Sequence, residues 1–154
     1  MESIKLISDL LSGFLTPIIA FITVYIAYQQ YRINKIRTAK ELYEKRIIIY
    51  GHVLNFIKLL NLQTVTDNDC AKFVNQCAEI PFLFNKELDK YTDTLFFRAK
   101  NLIRINNELL TVYSEPGNER KQLMHEKSEI IKLSIKEVDI AQNKFGKFLK
   151  IGTV

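Results

Sequence analysis

The sequence predicts an all-α protein, in which an N-terminal transmembrane helix is followed by an antiparallel cytoplasmic helical bundle of three long helices and one short helix. Three observations carry that expectation. Residues Leu10 to Tyr31 form an uncharged, strongly apolar run of 22 residues. Beyond it, apolar residues recur at helical spacing with no sustained period-two alternation. And 5 Gly and 3 Pro among 154 residues supply too few punctuation points for a many-turned β protein. The length allows one domain of ordinary size besides the span, which excludes a two-domain enzyme. With 47% apolar and 25% charged residues the chain can fill a core.

The first element is the span, about residues 10–31, preceded by a short external tail. An α-helix of about 20 residues crosses the roughly 30 Å hydrocarbon layer. Ten large apolar residues in this run, from Leu10 to Ile26, favour insertion by about 3 to 6 kcal/mol together. Gly13, Pro17 and the polar residues subtract from that sum. Before the run stand Glu2, Lys5 and Asp9. After it, residues 32–46 hold Arg32, Lys35, Arg37, Lys40, Lys45 and Arg46 against Glu41 and Glu44. The positive-inside rule then places the N-terminus outside and residues 32–154 in the cytoplasm. A cleaved signal peptide fits poorly, because the start is net negative and bulky Tyr and Gln follow the apolar run. A buried helix of a soluble protein would keep a polar face, which this run lacks. Pro17 leaves two arrangements. Either the span includes Leu10 to Leu15 and kinks, the preferred reading, or residues 3 to 12 lie along the outer interface with Ile4, Ile7, Leu11 and Phe14 on one face.

The next stripes are Tyr43, Ile47, Tyr50, Leu54 and Ile57, and beside them Leu42, Ile49, Val53, Phe56 and Leu60. Gly51 is a cost to this helix and not a stop, so a single rod from the bilayer to about Leu62 is expected. Thr66 to Asp69 supply caps for a short helix through Cys70 and Cys77, interrupted at Pro81 and packed across an end or a side of the bundle. A third segment, about Asn85 to Tyr113, carries Leu88, Leu95, Ala99, Leu102 and Leu109 on one face, with Phe96, Ile103 and Leu110 beside them. After a turn at Ser114 to Asn118, a fourth segment aligns Leu123, Ile130, Ile131, Ile135, Val138, Ala141, Phe145, Phe148 and Leu149. Its alternating Glu and Lys, including Lys136 and Glu137, read as a solvated face.

Charge assigns the first candidate site. Arg32, Lys35, Arg37, Lys40, Lys45 and Arg46 form a lipid-facing basic anchor, each cation near anionic headgroups contributing about 1 kcal/mol before screening. Tyr25, Tyr28 and Tyr31 approach the same boundary as interfacial aromatics. Residues 47–154 hold 15 basic and 13 acidic residues, without interleaved basic and aromatic clusters, so no nucleic acid is expected as a partner. No phosphate loop, nucleophile elbow or metalloprotease spacing is present. His52 reads as a boundary or partly buried polar residue, His125 is not followed by a second histidine at the required spacing, and Asn106 and Asn107 read as exposed or register-setting amides. Cys70 and Cys77, seven positions apart on one helix, stand about 10 Å apart, beyond disulfide reach, and read as small core residues in a reducing compartment. Neither a cofactor nor a metal is expected, nor is a small-molecule substrate evident.

The stretch Tyr25-Ile26-Ala27-Tyr28-Gln29-Gln30-Tyr31, with Asn34-Lys35, Leu42-Tyr43-Glu44-Lys45-Arg46 and Ile49-Tyr50, resembles a group of small single-pass bacterial membrane proteins of uncharacterised activity. Their pattern joins a Gln-Gln-aromatic exit, a Leu-Tyr-Glu-Lys-Arg helix, a Phe-Leu-Phe step and an aromatic-Leu pair near the C-terminus. Phe82-Leu83-Phe84 and Phe148-Leu149 stand at the later positions. Tyr31 replaces a common Trp, and Asn85 a common Gly. The resemblance implies a bacterial, phage or mobile-element origin and an anchored helical domain, with no catalytic residues to carry over.

The expected function is therefore a membrane-anchored helical interaction protein, acting as adaptor, sensor or membrane effector without catalysis. Its expected partners are anionic lipid headgroups and either another protein or further copies of itself. The alternative is an oligomeric pore-forming or membrane-disrupting effector, for example in phage defence.

Overall fold

The computed structural model describes residues 2–111 and 117–150, with side chains from residue 13 onward. The fold is all-α, and the described residues form five helices in the order α1 (Glu2–Asn61), α2 (Asp67–Cys77), α3 (Ile80–Leu83), α4 (Lys86–Thr111) and α5 (Asn118–Gly146). No strand occurs among the described residues. The chain divides into two compact units, the first ending at Glu41 and the second beginning at Leu42.

In the first unit, α1 runs through Pro17 without ending, which places Leu10 to Leu15 in the same helix as the rest of the apolar run. The side chains of Ile4, Ile7 and Leu11 lie outside the described residues. From Gly13 onward α1 contains a stretch long and apolar enough to cross a membrane, and none of that stretch is buried within the chain. Phe21, the extreme, is 78% exposed.

The second unit starts from the C-terminal third of α1. Ile49, Val53, Phe56, Ile57 and Leu60 are buried there and join the core. Leu42 and Ile47, expected in the same stripes, remain exposed. The helix ends through a Schellman arrangement. Thr64 N donates to Leu59 O at 3.1 Å and Gln63 N to Leu60 O at 3.0 Å, which requires Gln63 to adopt φ 59°. Three residues later α2 opens on a reciprocal cap. Asp69 N donates to the Thr66 hydroxyl at 3.2 Å, and Thr66 N donates to the Asp69 carboxylate at 3.0 Å. Pro81 sits in the first turn of α3, where its missing N–H is harmless. Asn85 caps α4, its side-chain oxygen accepting from Leu88 N at 3.0 Å. The turn expected at Ser114 to Asn118 falls largely outside the described residues, and α5 begins at Asn118.

Pair contacts fix the directions. Glu87 meets Lys144, Tyr91 meets Glu137 and Arg104 meets Glu126, so α4 and α5 are antiparallel. Tyr50 packs on Phe145 with ring centroids 5.4 Å apart and Arg46 reaches Phe148, so α1 also opposes α5. Asp67 pairs with Lys100, while Cys70 and Val74 share a cleft with Phe96. The short helix α2 therefore runs antiparallel beside α4, and its Phe73 stacks on Phe56 of α1 at 3.9 Å. Cys70 and Cys77 are both buried free thiols in this core.

One expectation about α5 is corrected. Its inward positions are Ser134, Glu137, Ala141 and Phe145, whereas Ile135, at 62% exposure, and Val138 face outward. The helix is turned by about one residue from the apolar stripe. Small Ser134 and Ala141 fill the inward line with no exposed surface, and Glu137, expected on a solvated face, goes inside because two polar groups of α4 meet it there. Leu110 of α4, also expected in the core, is exposed.

Candidate functional site

All nine residues assigned from the sequence to the membrane boundary lie on α1. At 100° per residue, Tyr25, Tyr28 and Tyr31 are offset by about 60° at each step and share an arc of about 120° on one side of the helix. All three are exposed, and the Tyr25 hydroxyl accepts from Gln29 Nε2 at 3.0 Å. Arg32, Lys35, Arg37 and Lys40 are likewise exposed and distributed around the axis. Arg37 donates to Glu41 at 3.0 Å one turn later, an exposed pair of the kind that contributes little to stability. Lys45 stands 4.0 Å from Glu79 with both partners exposed.

Arg46 departs from this set. It is partly buried, and its guanidinium is turned into the bundle. Nε donates to the Leu83 carbonyl at 2.9 Å and Nη1 to the Phe148 carbonyl at 3.4 Å. The same group lies over the rings of Phe84 and Phe148, at 5.8 and 6.0 Å from their centroids. Those rings pack edge-to-face at 5.5 Å, and Phe84 packs on Phe145 at 5.1 Å. The physical reason is that Leu83 and Phe148 sit at or just beyond the ends of α3 and α5, where carbonyls lack helical donors and a cation is favoured. A planar cation with several donors can bind two such carbonyls and stack at once. Arg46 is thus a clasp across α1, α3 and the end of α5, and the lipid-facing role assigned to it is corrected.

The clasp draws together three stretches that the sequence placed far apart, namely Leu42 to Arg46, Phe82 to Phe84 and Phe148-Leu149. Compared with protein families, with curated proteins and with solved structures, the chain finds no match. The functional reading therefore rests on its own residues.

A second polar arrangement lies between α4 and α5. Arg98 Nη1 donates to Glu137 Oε1, and the Tyr91 hydroxyl donates to Glu137 Oε2 at 2.8 Å. The Arg98 and Glu137 side chains are 15% and 7% exposed. Burial, together with the Glu137 contact, drives the Tyr91 phenol far above its ordinary range, so it stays a donor. Sequence reasoning missed this triad. The available signal was positional, because Arg98 lies between core residues Leu95 and Leu102, and Glu137 lies one turn before Ala141.

Elsewhere, a cleft of about 340 Å³ between α2 and α4 is lined by Cys70, Val74, Phe96 and Lys100 among others. Its cation is matched by Asp67 at 2.7 Å. His52 is half-buried on α1 and His125 exposed on α5. Burial pushes the Cys77 thiol up to about 12 and raises that of Cys70, which makes both poor nucleophiles.

Proposed function

We propose that this chain is a membrane-anchored helical interaction protein of the bacterial cytoplasmic membrane, with a single span, the N-terminus outside and the bundle in the cytoplasm, acting through contacts and not through catalysis. The observation that carries the reading is the apolar stretch of α1, which none of the described residues covers although it belongs to the same helix as Val53 and Leu60 of the core. Orientation is supported by the exposed cations Arg32, Lys35, Arg37 and Lys40 following that stretch, with Tyr25, Tyr28 and Tyr31 at its end. Anionic lipid headgroups are the partners their chemistry fits. The exposed apolar side chains of the bundle, Ile47, Ile48 and Ile135 among them, fit protein contacts.

The test is fractionation with a topology reporter on the C-terminus of the full-length chain. Membranes should retain the protein through carbonate washing, and the reporter should respond only on the cytoplasmic side. Removal of residues 1–31 should move it to the supernatant. Full-length protein in the supernatant, or a reporter active outside, refutes the reading.

A further inference from the structure

The Arg46 clasp gathers its three stretches at the end of the second unit where α1 enters it, and that end differs from the opposite one in charge and in apolar exposure. Residues 42–50, 78–90 and 141–150 hold seven cations against four anions. Residues 55–70, 100–111 and 117–130, toward the other end, hold six of each. Two of the four anions are matched, Glu79 by Lys45 and Glu87 by Lys144, while Lys86, Lys147 and Lys150 are exposed. At the same end Phe82 is 87% exposed, more than any other large apolar side chain among the described residues. Its backbone is held firmly. Buried Ile80 and half-buried Leu83 and Phe84 pack α3 onto the core, and Arg46 binds the Leu83 carbonyl, so the ring of Phe82 is presented outward on an anchored turn. Lys86 opens α4 four residues later, and Lys147 and Lys150 bracket Phe148, the ring on which Phe84 packs.

We propose that this end of the bundle is a second lipid-binding site, in which Phe82 enters the headgroup layer of an anionic bilayer and Lys86, Lys147 and Lys150 meet its phosphates. The inference rests on the membrane reading above. Leu42, where the second unit begins, follows Tyr31 by eleven residues, and a stretch of that length reaches at most about 40 Å in any conformation. The tether therefore keeps this end of the unit close to the headgroups and at raised effective concentration beside them. An aromatic ring among cations suits that boundary, where the ring leaves water and each cation gains from anionic lipid. A fluid layer also closes around one projecting ring without the complementary pocket that a protein partner must supply.

The chain contains no tryptophan, so single-tryptophan variants of the full-length protein report their surroundings without background. The test reconstitutes them in vesicles of phosphatidylcholine and phosphatidylglycerol that carry phospholipid brominated in its acyl chains, a contact quencher. Phe82→Trp should be quenched several-fold more than Leu110→Trp, which lies toward the opposite end and is 68% exposed. Its quenching should fall several-fold in vesicles of phosphatidylcholine alone, and likewise when Lys86→Gln, Lys147→Gln and Lys150→Gln are added together. Phe21→Trp reads the span separately and should be quenched in both kinds of vesicle. Four results overturn the proposal: Phe82→Trp quenched no more than Leu110→Trp, quenching equal in the two kinds of vesicle, quenching unchanged by the three lysine substitutions, or blue-shifted emission from position 82 without quenching, which would place a protein surface over the ring. An unquenched Phe21→Trp ends the membrane reading and this one with it, whereas a quenched Phe21→Trp with any of those four results ends the second site alone.

Discussion

Glu137 is a carboxylate inside a helical bundle, held by Arg98 and Tyr91. Such a pair is weak evidence for stability, because desolvating two charges offsets much of their attraction, but removing one partner leaves the other charge buried and alone. Arg98→Met should therefore destabilise the bundle by about 3–5 kcal/mol, whereas the double variant Arg98→Met with Glu137→Leu should recover most of that loss. Urea denaturation of the single and double variants measures both. A double variant as unstable as the single one would show that the triad is stabilising in its own right. This residue was misread from the sequence because Lys136 and Glu137 resemble any solvated charge pair. Its inward position follows from the rotation of α5, which depends on side chains of α4 some 40 residues away.

Helix ends were the most legible features, because capping is local chemistry. Thr66 and Asp69 close their box within four residues, and the helix begins at Asp67 as their types require. Asn85 ends up as the cap of α4, so the departure from glycine at this position has a local use. The end of α1, expected at about Leu62, falls at Asn61, although the left-handed position after it is taken by Gln63 where glycine is usual. Thr66→Ala should destabilise the bundle by about 1 kcal/mol. The effect also depends on pH. The Thr66 hydroxyl, followed by its backbone N–H, holds the Asp69 carboxyl below its ordinary value of 3.8. A carboxyl whose value is lowered on folding stabilises the fold above its ordinary value and loses that contribution as the pH falls through the lowered one. Melting temperatures of the parent chain should therefore drop more steeply than those of Thr66→Ala as the pH is taken below 4. Parallel curves would rule this linkage out.

For the whole molecule, the all-α class and the uncovered apolar stretch were readable from periodicity and composition, because both depend on neighbours along the chain. The clasp was not. Arg46 meets Leu83 and Phe148 across 37 and 102 positions, and the basic run containing it gave no sign that this one cation turns inward. Arg46→Met should cost about 1.5–3 kcal/mol, the range for hydrogen bonds from a charged donor. Lys45→Met, beside it and paired among the described residues with exposed Glu79, should stay within about 0.5 kcal/mol of the parent. Equal losses in urea would place the tie elsewhere. Both oxygens that receive the guanidinium belong to the main chain, so no exchange of side chains at 83 or 148 can delete them. The two hydrogen bonds therefore survive drift at positions 83 and 148, whereas a single codon at position 46 removes both of them at once.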